Sequence, residues 1–329
     1  MPRQGILFIL VGPSAAGKNT LMKPAQAHFG DLDQLATMTT RDMRVGEQQG
    51  REHWFVTHQE FQRLIDTDAL VEYQNVHLDD FYGTPRQTVE EAIAKGRDLI
   101  ADIEFLGASE ILDAYAEHVV LIFVTPSNLD ILAERIEHRG NVTPEEVKER
   151  LERARFEMTF APQCHYLILN DSVDNATEQL QRIIASERAR RQDTPGQDAH
   201  DVIDRHVFHC ALVAIVQQGD AILGRAGDPE FAFPRFAIDH DTAPLHQTLR
   251  RRLEDMLEAP VVIQAEPDRR FDFVAPNDVT ITSPPPEVGI DYYFKCSVPA
   301  SVPAPDGWAW RPMAQVTLPP WFSATMSAR

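Results

Sequence analysis

The sequence predicts an α/β protein: a parallel sheet layered between helices, followed by a smaller α+β domain. Three observations predict it. Short apolar runs alternate with amphipathic segments up to about residue 184. A polar stretch containing Pro and Gly then interrupts the chain around residues 186–201. Beyond it Pro and aromatic residues become frequent, and helical periodicity almost disappears.

The apolar runs GILFILVG (5–12), RDLIADIEF (97–105) and HVVLIFVTP (118–126) are nearly continuous, as strands buried on both faces should be. TVEEAIAKG (88–96), NLDILAERIEHRG (128–140) and TPEEVKERLERARFEM (143–158) carry helical spacing, with Asn128 and Thr143 as N-caps and Gly140 as a stop. In the second half, HCALVAIVQ (209–217), AILGR (221–225), PVVIQ (260–264) and DYYFKCSVP (291–299) read as strands, and HQTLRRRLEDMLE (246–258) as the one helix. These readings give a domain over 1–188, a linker over 189–203 and a second domain over 204–329.

A chain of 329 residues accommodates two cores. No apolar run approaches the roughly 20 residues that span a bilayer, and the N-terminal run leads into a glycine loop without a signal-peptide cleavage pattern. A cytoplasmic protein with no membrane partner is expected. The net charge of −19 argues against a nucleic-acid surface, so an anionic ligand must meet a local basic pocket. Cys164, Cys210 and Cys296 lack the spacing of a zinc site or disulfide framework, and His77, His138 and His165 show no metal-binding pattern.

GPSAAGKNT, Gly12 to Thr20, follows a strand and opens a helix, the setting in which backbone N–H groups cradle a polyphosphate. Gly12, Gly17 and Lys18 satisfy G-x-x-x-x-G-K-[ST], but Asn19 stands where a hydroxyl should reach Mg2+. The pattern assigns Gly12, Pro13, Ser14, Ala15, Ala16, Gly17, Lys18, Asn19 and Thr20 to ATP, with Lys18 bridging the β- and γ-phosphates. Pro24 should kink the helix that follows.

This loop, then TMTTRDMRVGEQQGREHWF (37–55), LVEYQNVHLDDFYGTP (70–85), DIEFLGA (102–108), LAERIEHRG (132–140) and EEVKERLERARFE (145–157), resembles guanylate kinase, in order and over about 180 residues. The resemblance implies a P-loop kinase fold with a GMP-binding arm inserted around residues 36–90 and a lid around 137–155. It also implies phosphoryl transfer from Mg-ATP to GMP. By that likeness Arg41, Arg44 and Tyr82 clamp the acceptor phosphate, and Glu72 reads the guanine edge with Thr37 and Glu104. Arg135, Arg139 and Arg150 close with Lys18 on the transferred group, Asp102 lies near Mg2+ with Asn19, and Asn170 lies beside the adenine. Taken alone, the helix bearing Arg150 reads equally well as a solvated surface laced with opposite charges.

Three positions depart from the family pattern: Asn19 for Ser, Thr37 for Ser, and His53 for a phosphate-binding Tyr. Asn19 still offers a carbonyl oxygen to a hard cation, and His53 can still donate to phosphate. Ribose 1,5-bisphosphate phosphokinase of phosphonate metabolism, which often carries Asp at the Asn19 position, is the second reading. Arg44, Gly46, Glu47 and Glu72, all present here, rank GMP above it. A non-catalytic guanylate-kinase-like interaction module ranks third, because Gly17, Lys18 and the lid arginines are retained.

Residues 206–322 faintly resemble a Nudix domain, through HCALVAIVQQGDAILGR (209–225), HQTLRRRLEDMLEAP (246–260) and WAWRPMAQV (308–316). The helix that should hold Mg2+ carries Arg251, Arg252, Leu253, Glu254, Asp255 and Met256, one acid where three belong, so no diphosphate hydrolysis is expected. Glu254 and Glu258 read as a solvated face, and Trp308, Trp310 and Trp321 as core.

Overall fold

A computed structural model describes residues 3–77, 80–138, 142–193, 209–227, 232–238, 244–264, 267–268, 273–274, 278–282, 289–316 and 318. The chain forms two compact units, Met1–Val147 with Cys164–Val207, and Lys148–Gln163 with Phe208–Arg329. This division differs from a cut at residues 189–203 in giving 148–163 to the second unit.

In the first unit, β1 (Leu7–Val11), α1 (Lys18–His28) and β2 (Leu32–Gln34) lead into an inserted arm. The arm comprises β3 (Thr37–Thr39), β4 (His53–Phe55), α2 (His58–Asp66), β5 (Leu70–His77) and β6 (Asp80–Pro85). The chain returns through α3 (Arg86–Ala94), β7 (Asp98–Asp102), α4 (Phe105–Tyr115), β8 (Val119–Thr125) and α5 (Leu129–Glu137). Helix α6 (Pro144–Met158), which passes into the second unit from Lys148 onward, then β9 (Tyr166–Leu169) and α7 (Val173–Asp193) follow.

The main sheet is parallel throughout, in the order β2-β7-β1-β8-β9. Parallel strands must be covered on both faces, which explains the unbroken apolar runs. Every residue of β1 and β8 is buried. Ile6, Phe8 and Leu10 alternate onto the face packed with Leu21 and Met22 of α1 and Leu180 and Ile184 of α7. The arm forms its own sheet, β4-β3-β6-β5, in which β3 pairs parallel with β4 and antiparallel with β6.

Local signals act where the sequence places them. Asn128 caps α5 by accepting from the Ile131 amide at 2.9 Å, and Thr143 and Glu146 exchange capping bonds at the start of α6. Helix α1 continues to His28 across Pro24. Gly140 and Arg139 lie outside the described residues, as do Trp321 and residues 194–203 of the linker. The linker's first residues are helical, a correction to the sequence reading. Helix α7 runs to Asp193 because Arg188 of its polar end reaches Asp98 Oδ2 at 2.7 Å and Asp31 Oδ1 at 3.0 Å.

The second unit holds β10 (His209–Gln218), β11 (Ala221–Arg225), β12 (Arg235–Ala237), α8 (Leu245–Leu257) and β13 (Val262–Ile263). Strands β14 (Pro267–Asp268), β15 (Phe273–Val274), β16 (Asp278–Thr282), β17 (Gly289–Ser297) and β18 (Trp308–Pro312) complete it. Its main sheet runs β13-β17-β10-β11-β18, with β10 and β17 parallel and β12 and β16 joined at the side. Glu254 accepts from the Val261 amide at 3.2 Å and so ties down the end of α8. Cys164, Cys210 and Cys296 are buried and form no disulfide. No helix among the described residues is long and apolar enough to cross a membrane.

Asp98, 1% exposed, accepts from Arg3 Nη1 at 2.8 Å and Nη2 at 2.9 Å, from Arg188, and from the Ile6 amide at 2.9 Å. Losing one member of a buried ion network leaves its partners uncompensated. Asp98→Ala should therefore lower unfolding free energy by roughly 3–5 kcal/mol, read as a lower urea midpoint at unchanged slope.

Candidate functional site

The loop after β1 turns sharply because two glycines occupy conformations and spaces closed to other residues. Gly12 has φ +132°, and a Cβ there would stand 2.2 Å from the Val124 carbonyl oxygen. Gly17, the N-cap of α1, has φ +95°, and a Cβ there would meet Asn170 Nδ2 at 2.3 Å. Between them, Ala15 adopts φ 69°. The turn ends at the start of α1, where the positive end of the helix dipole favours an anion.

Lys18 Nζ donates to the Gly12 carbonyl at 2.7 Å and the Pro13 carbonyl at 3.3 Å, and stands 3.5 Å from Asp102 Oδ1 at the end of β7. A cavity of about 630 Å³ opens here. Its wall includes Gly12, Ser14, Ala15, Gly17, Lys18 and Asn19 from the loop and Thr37, Arg41, Arg44, His53, Glu72 and Tyr82 from the arm. Asp102 and Glu104 complete the set of expected residues that line it. Pro13 and Ala16 are buried beneath the loop, and Thr20 is exposed.

Arg41, on the loop after β3, is almost fully buried. Its Nε donates to the Tyr82 hydroxyl at 2.8 Å, while Nη1 and Nη2 form a fork on Glu47 at 2.7 and 2.6 Å. That fork holds Glu47 down to about pKa 2 and raises Arg41, so both stay charged. Glu47 also accepts from the Arg44 amide at 2.7 Å, shaping the turn that carries the exposed Arg44. His53 Nδ1 and Thr37 Oγ1 share a hydrogen bond at 2.7 Å. Burial, with Arg41 next in importance, pushes His53 down to about 4, so it is neutral at pH 7.

Glu72 of β5 is 5% exposed and accepts from Thr84 Oγ1 at 2.6 Å. Burial pushes its carboxyl up to about 7, opposed by the bond from Thr84. Gly107 of α4 makes room for this carboxyl: a Cβ there would lie 2.3 Å from Glu72 Oε2.

Three expected residues stand elsewhere. Asn170, buried after β9, donates from Nδ2 to the Ala16 carbonyl at 2.7 Å. Arg135 of α5 donates to the Asn170 carbonyl at 2.6 Å and the Ala16 carbonyl at 3.5 Å. Both hold the loop from outside the cavity wall. Arg150 is exposed on α6, within the stretch belonging to the second unit. One contributor was missed in the sequence, Thr84, which shows itself only through its bond to Glu72 across the arm sheet. Glu47 was read together with Arg44 and Gly46 as part of the family pattern, but its role as the partner of Arg41 was not.

For Mg2+ the available donors are the Asn19 carbonyl and the Asp102 carboxylate, both lining the cavity. Among the described residues, no cluster of three His, Cys, Asp or Glu could hold a metal alone. A sparse pair of oxygen donors fits Mg2+, which keeps its waters and shares substrate phosphates.

The chain matches the protein family described as Guanylate kinase over residues 4–187. A guanylate kinase from Oceanobacillus iheyensis is 40% identical over 189 residues, 57% of this chain and 91% of that protein. A crystal structure of guanylate kinase from Anaplasma phagocytophilum is 27% identical at a TM-score of 0.47, covering 56% of this chain and 87% of that one. A crystal structure of a NUDIX-family hydrolase from Clostridium perfringens covers 32% of this chain and 81% of its own, at 11% identity and a TM-score of 0.26.

Because Gly17 has both the left-handed backbone and the crowding by Asn170, Gly17→Ala should weaken ATP binding by about 1–3 kcal/mol, measured by calorimetric titration. An unchanged dissociation constant would show that the loop tolerates a shifted Asn170.

Proposed function

The chain belongs to the guanylate kinase family, and from that premise we propose that it transfers the γ-phosphoryl group of ATP to GMP, giving ADP and GDP. Members of this family are phosphotransferases, and so is this protein. What carries the choice of GMP is one observation. A single cavity is lined by the lysine of the phosphate loop, an arginine–tyrosine pair suited to phosphate, and a buried carboxylate suited to a base edge.

In this reading the ATP phosphates lie along the loop amides, and Lys18 Nζ exchanges its carbonyl partners for phosphate oxygens. Arg41, Arg44 and the Tyr82 hydroxyl receive the GMP phosphate, with His53 as a neutral donor beside them. Glu72, ionised, accepts from N1–H and the amino group of guanine, with Thr37 and Glu104 in the same wall. Adenine lacks that pair of donors. An oxygen of the GMP phosphate attacks the γ-phosphorus as the bond to the ADP oxygen breaks, and the protein supplies alignment and positive charge. Mg2+ accompanying ATP would be held through Asn19 and Asp102 and would neutralise charge on the transferred group. Arg135 and Asn170 support the loop, and Arg139 and Arg150 take the lid positions given by the family resemblance.

The sugar-bisphosphate reading rests on Asn19 alone. The burial of Glu72 and its bond from Thr84 favour a base reader, because a carboxylate kept dry needs donors of its own. Purified protein with Mg-ATP should therefore form GDP from GMP; turnover of ribose 1,5-bisphosphate instead would replace this reading with the second.

The pH dependence follows from Glu72. Its carboxyl titrates near 7 in the empty site, and only the ionised form accepts both guanine donors. Below pH 7 binding must first expel a proton, so KM for GMP should rise by about tenfold per unit as pH falls, and level off above. Glu72→Gln should raise KM and flatten this dependence, and the difference between the two proteins isolates Glu72 from titration of GMP itself. Parallel profiles would remove the base-reading role.

A further inference from the structure

Helix α4 carries a glycine as its third residue, Gly107, and the helix itself gives no reason for one. Gly107 is buried in the first turn, and its backbone is not left-handed. At such a position glycine weakens a helix relative to alanine, because it surrenders more backbone freedom on folding. What excludes alanine is space.

A Cβ on Gly107 would lie 2.3 Å from Oε2, 2.7 Å from Cδ and 3.3 Å from Cγ of Glu72, and these are the three nearest atoms it would meet. No backbone atom is among them. Glu72 is held by its other oxygen, since Oε1 accepts from Thr84 Oγ1 at 2.6 Å. One turn further along α4, Glu110 Oε1 accepts from Gln74 Nε2 at 3.1 Å. One face of α4 thus meets Glu72 and Gln74, alternate residues of β5 that both line the cavity. A side chain at position 107 would have a single soft neighbour, the free end of Glu72. Helix and strand can keep their places, so it is the carboxyl that must move.

We infer that Gly107 is a positioning residue that sets acceptor specificity, its missing side chain being the space in which the Glu72 carboxyl is held for the base edge. The inference rests on the base-reading role proposed for Glu72. It makes the fit of α4 against β5, as well as the identity of residue 72, part of the choice of acceptor.

The test is a double-mutant cycle in the full chain, reading kcat/KM for GMP and for AMP together with Tm. Gly107→Ala should lower kcat/KM for GMP by about ten- to hundredfold, mainly through KM, because hydrogen bonds to a charged group are disturbed. kcat/KM for AMP, which lacks the paired donors, and KM for ATP should stay within about threefold. In a Glu72→Ala background, where the space is empty, Gly107→Ala should leave kcat/KM for GMP unchanged and hold or raise Tm. An unchanged value for GMP in Gly107→Ala, an equal loss for GMP in both backgrounds, or equal losses for GMP and AMP overturns the inference while the reading of Glu72 stands. A fall in Tm in the Glu72→Ala background also overturns it, by showing that the space at Gly107 is needed for another group. If Glu72→Ala alone leaves kcat/KM for GMP unchanged, or the unaltered protein makes no GDP, the base-reading role fails and takes the inference with it.

Discussion

The carbonyl oxygen of Ala16 is the point on which the nucleotide site depends. Asn170 reaches it from the end of β9 at 2.7 Å and Arg135 from α5 at 3.5 Å, and Arg135 also grips the Asn170 carbonyl. Asn170 is itself held by its amide on Thr125 at the end of β8. The loop is thus fastened to the ends of two sheet strands and a helix before any ligand arrives. The same fastening dictates Gly17, whose missing side chain is the space taken by Asn170 Nδ2. A loop held this way has little reorganisation left to do when phosphate arrives, the condition under which oriented dipoles act most strongly.

Electrostatics in the cavity follow from an acidic chain that must hold anions. With a net charge of −19, positive potential has to be local. Here cations and carboxylates are paired across short distances: Lys18 with Asp102, and Arg41 with Glu47. Pairing holds the lysine and the arginine in place in the empty site and keeps the arginine charged. An incoming phosphate joins a balanced network rather than falling into an unscreened positive well. The wall also contains Glu72, which burial raises to about 7, so that part of its population is protonated at pH 7 in the empty site. The acceptor end therefore carries less negative charge before binding than its residue count suggests.

Much of this was legible in the sequence, for physical reasons that also mark where legibility stops. β1, β7 and β8 announced themselves because strands covered on both faces read as nearly continuous apolar runs, the polar residues of β7 and β8 standing at their ends. The caps at Asn128 and Thr143 were local chemistry, readable within four residues. The arm strands β3 and β4 have only three residues each, too few to establish a period, and came through family likeness instead. Helix α7 ran past its apolar pattern because Arg188 answers Asp31 and Asp98, contacts 157 and 90 residues away that no window of sequence contains. Arg135 was recognised as part of the site, but its side-chain direction depends on where the Ala16 and Asn170 carbonyls meet in space.

Helix α6 shows the same limit in sharper form. Its sequence is dominated by Glu, Arg and Lys, and a helix of that composition reads as solvated along its length. The tail, RFEMTFAP, carries a cluster of apolar residues, and Phe156, Met158, Phe160 and Ala161 in it are buried, as are Val147 and Ala154 before it. One helix therefore combines a solvated start with an embedded end, and averaging along it conceals both. The compact unit to which the tail belongs is completed by residues from 208 onward. A boundary placed by composition falls after residue 188, whereas packing begins the second unit forty residues earlier, at Lys148. Composition changes where the chain leaves one core for good, but a core can recruit a segment long before that. The C-terminal strands and the outgoing part of α6 are in this sense one folding problem.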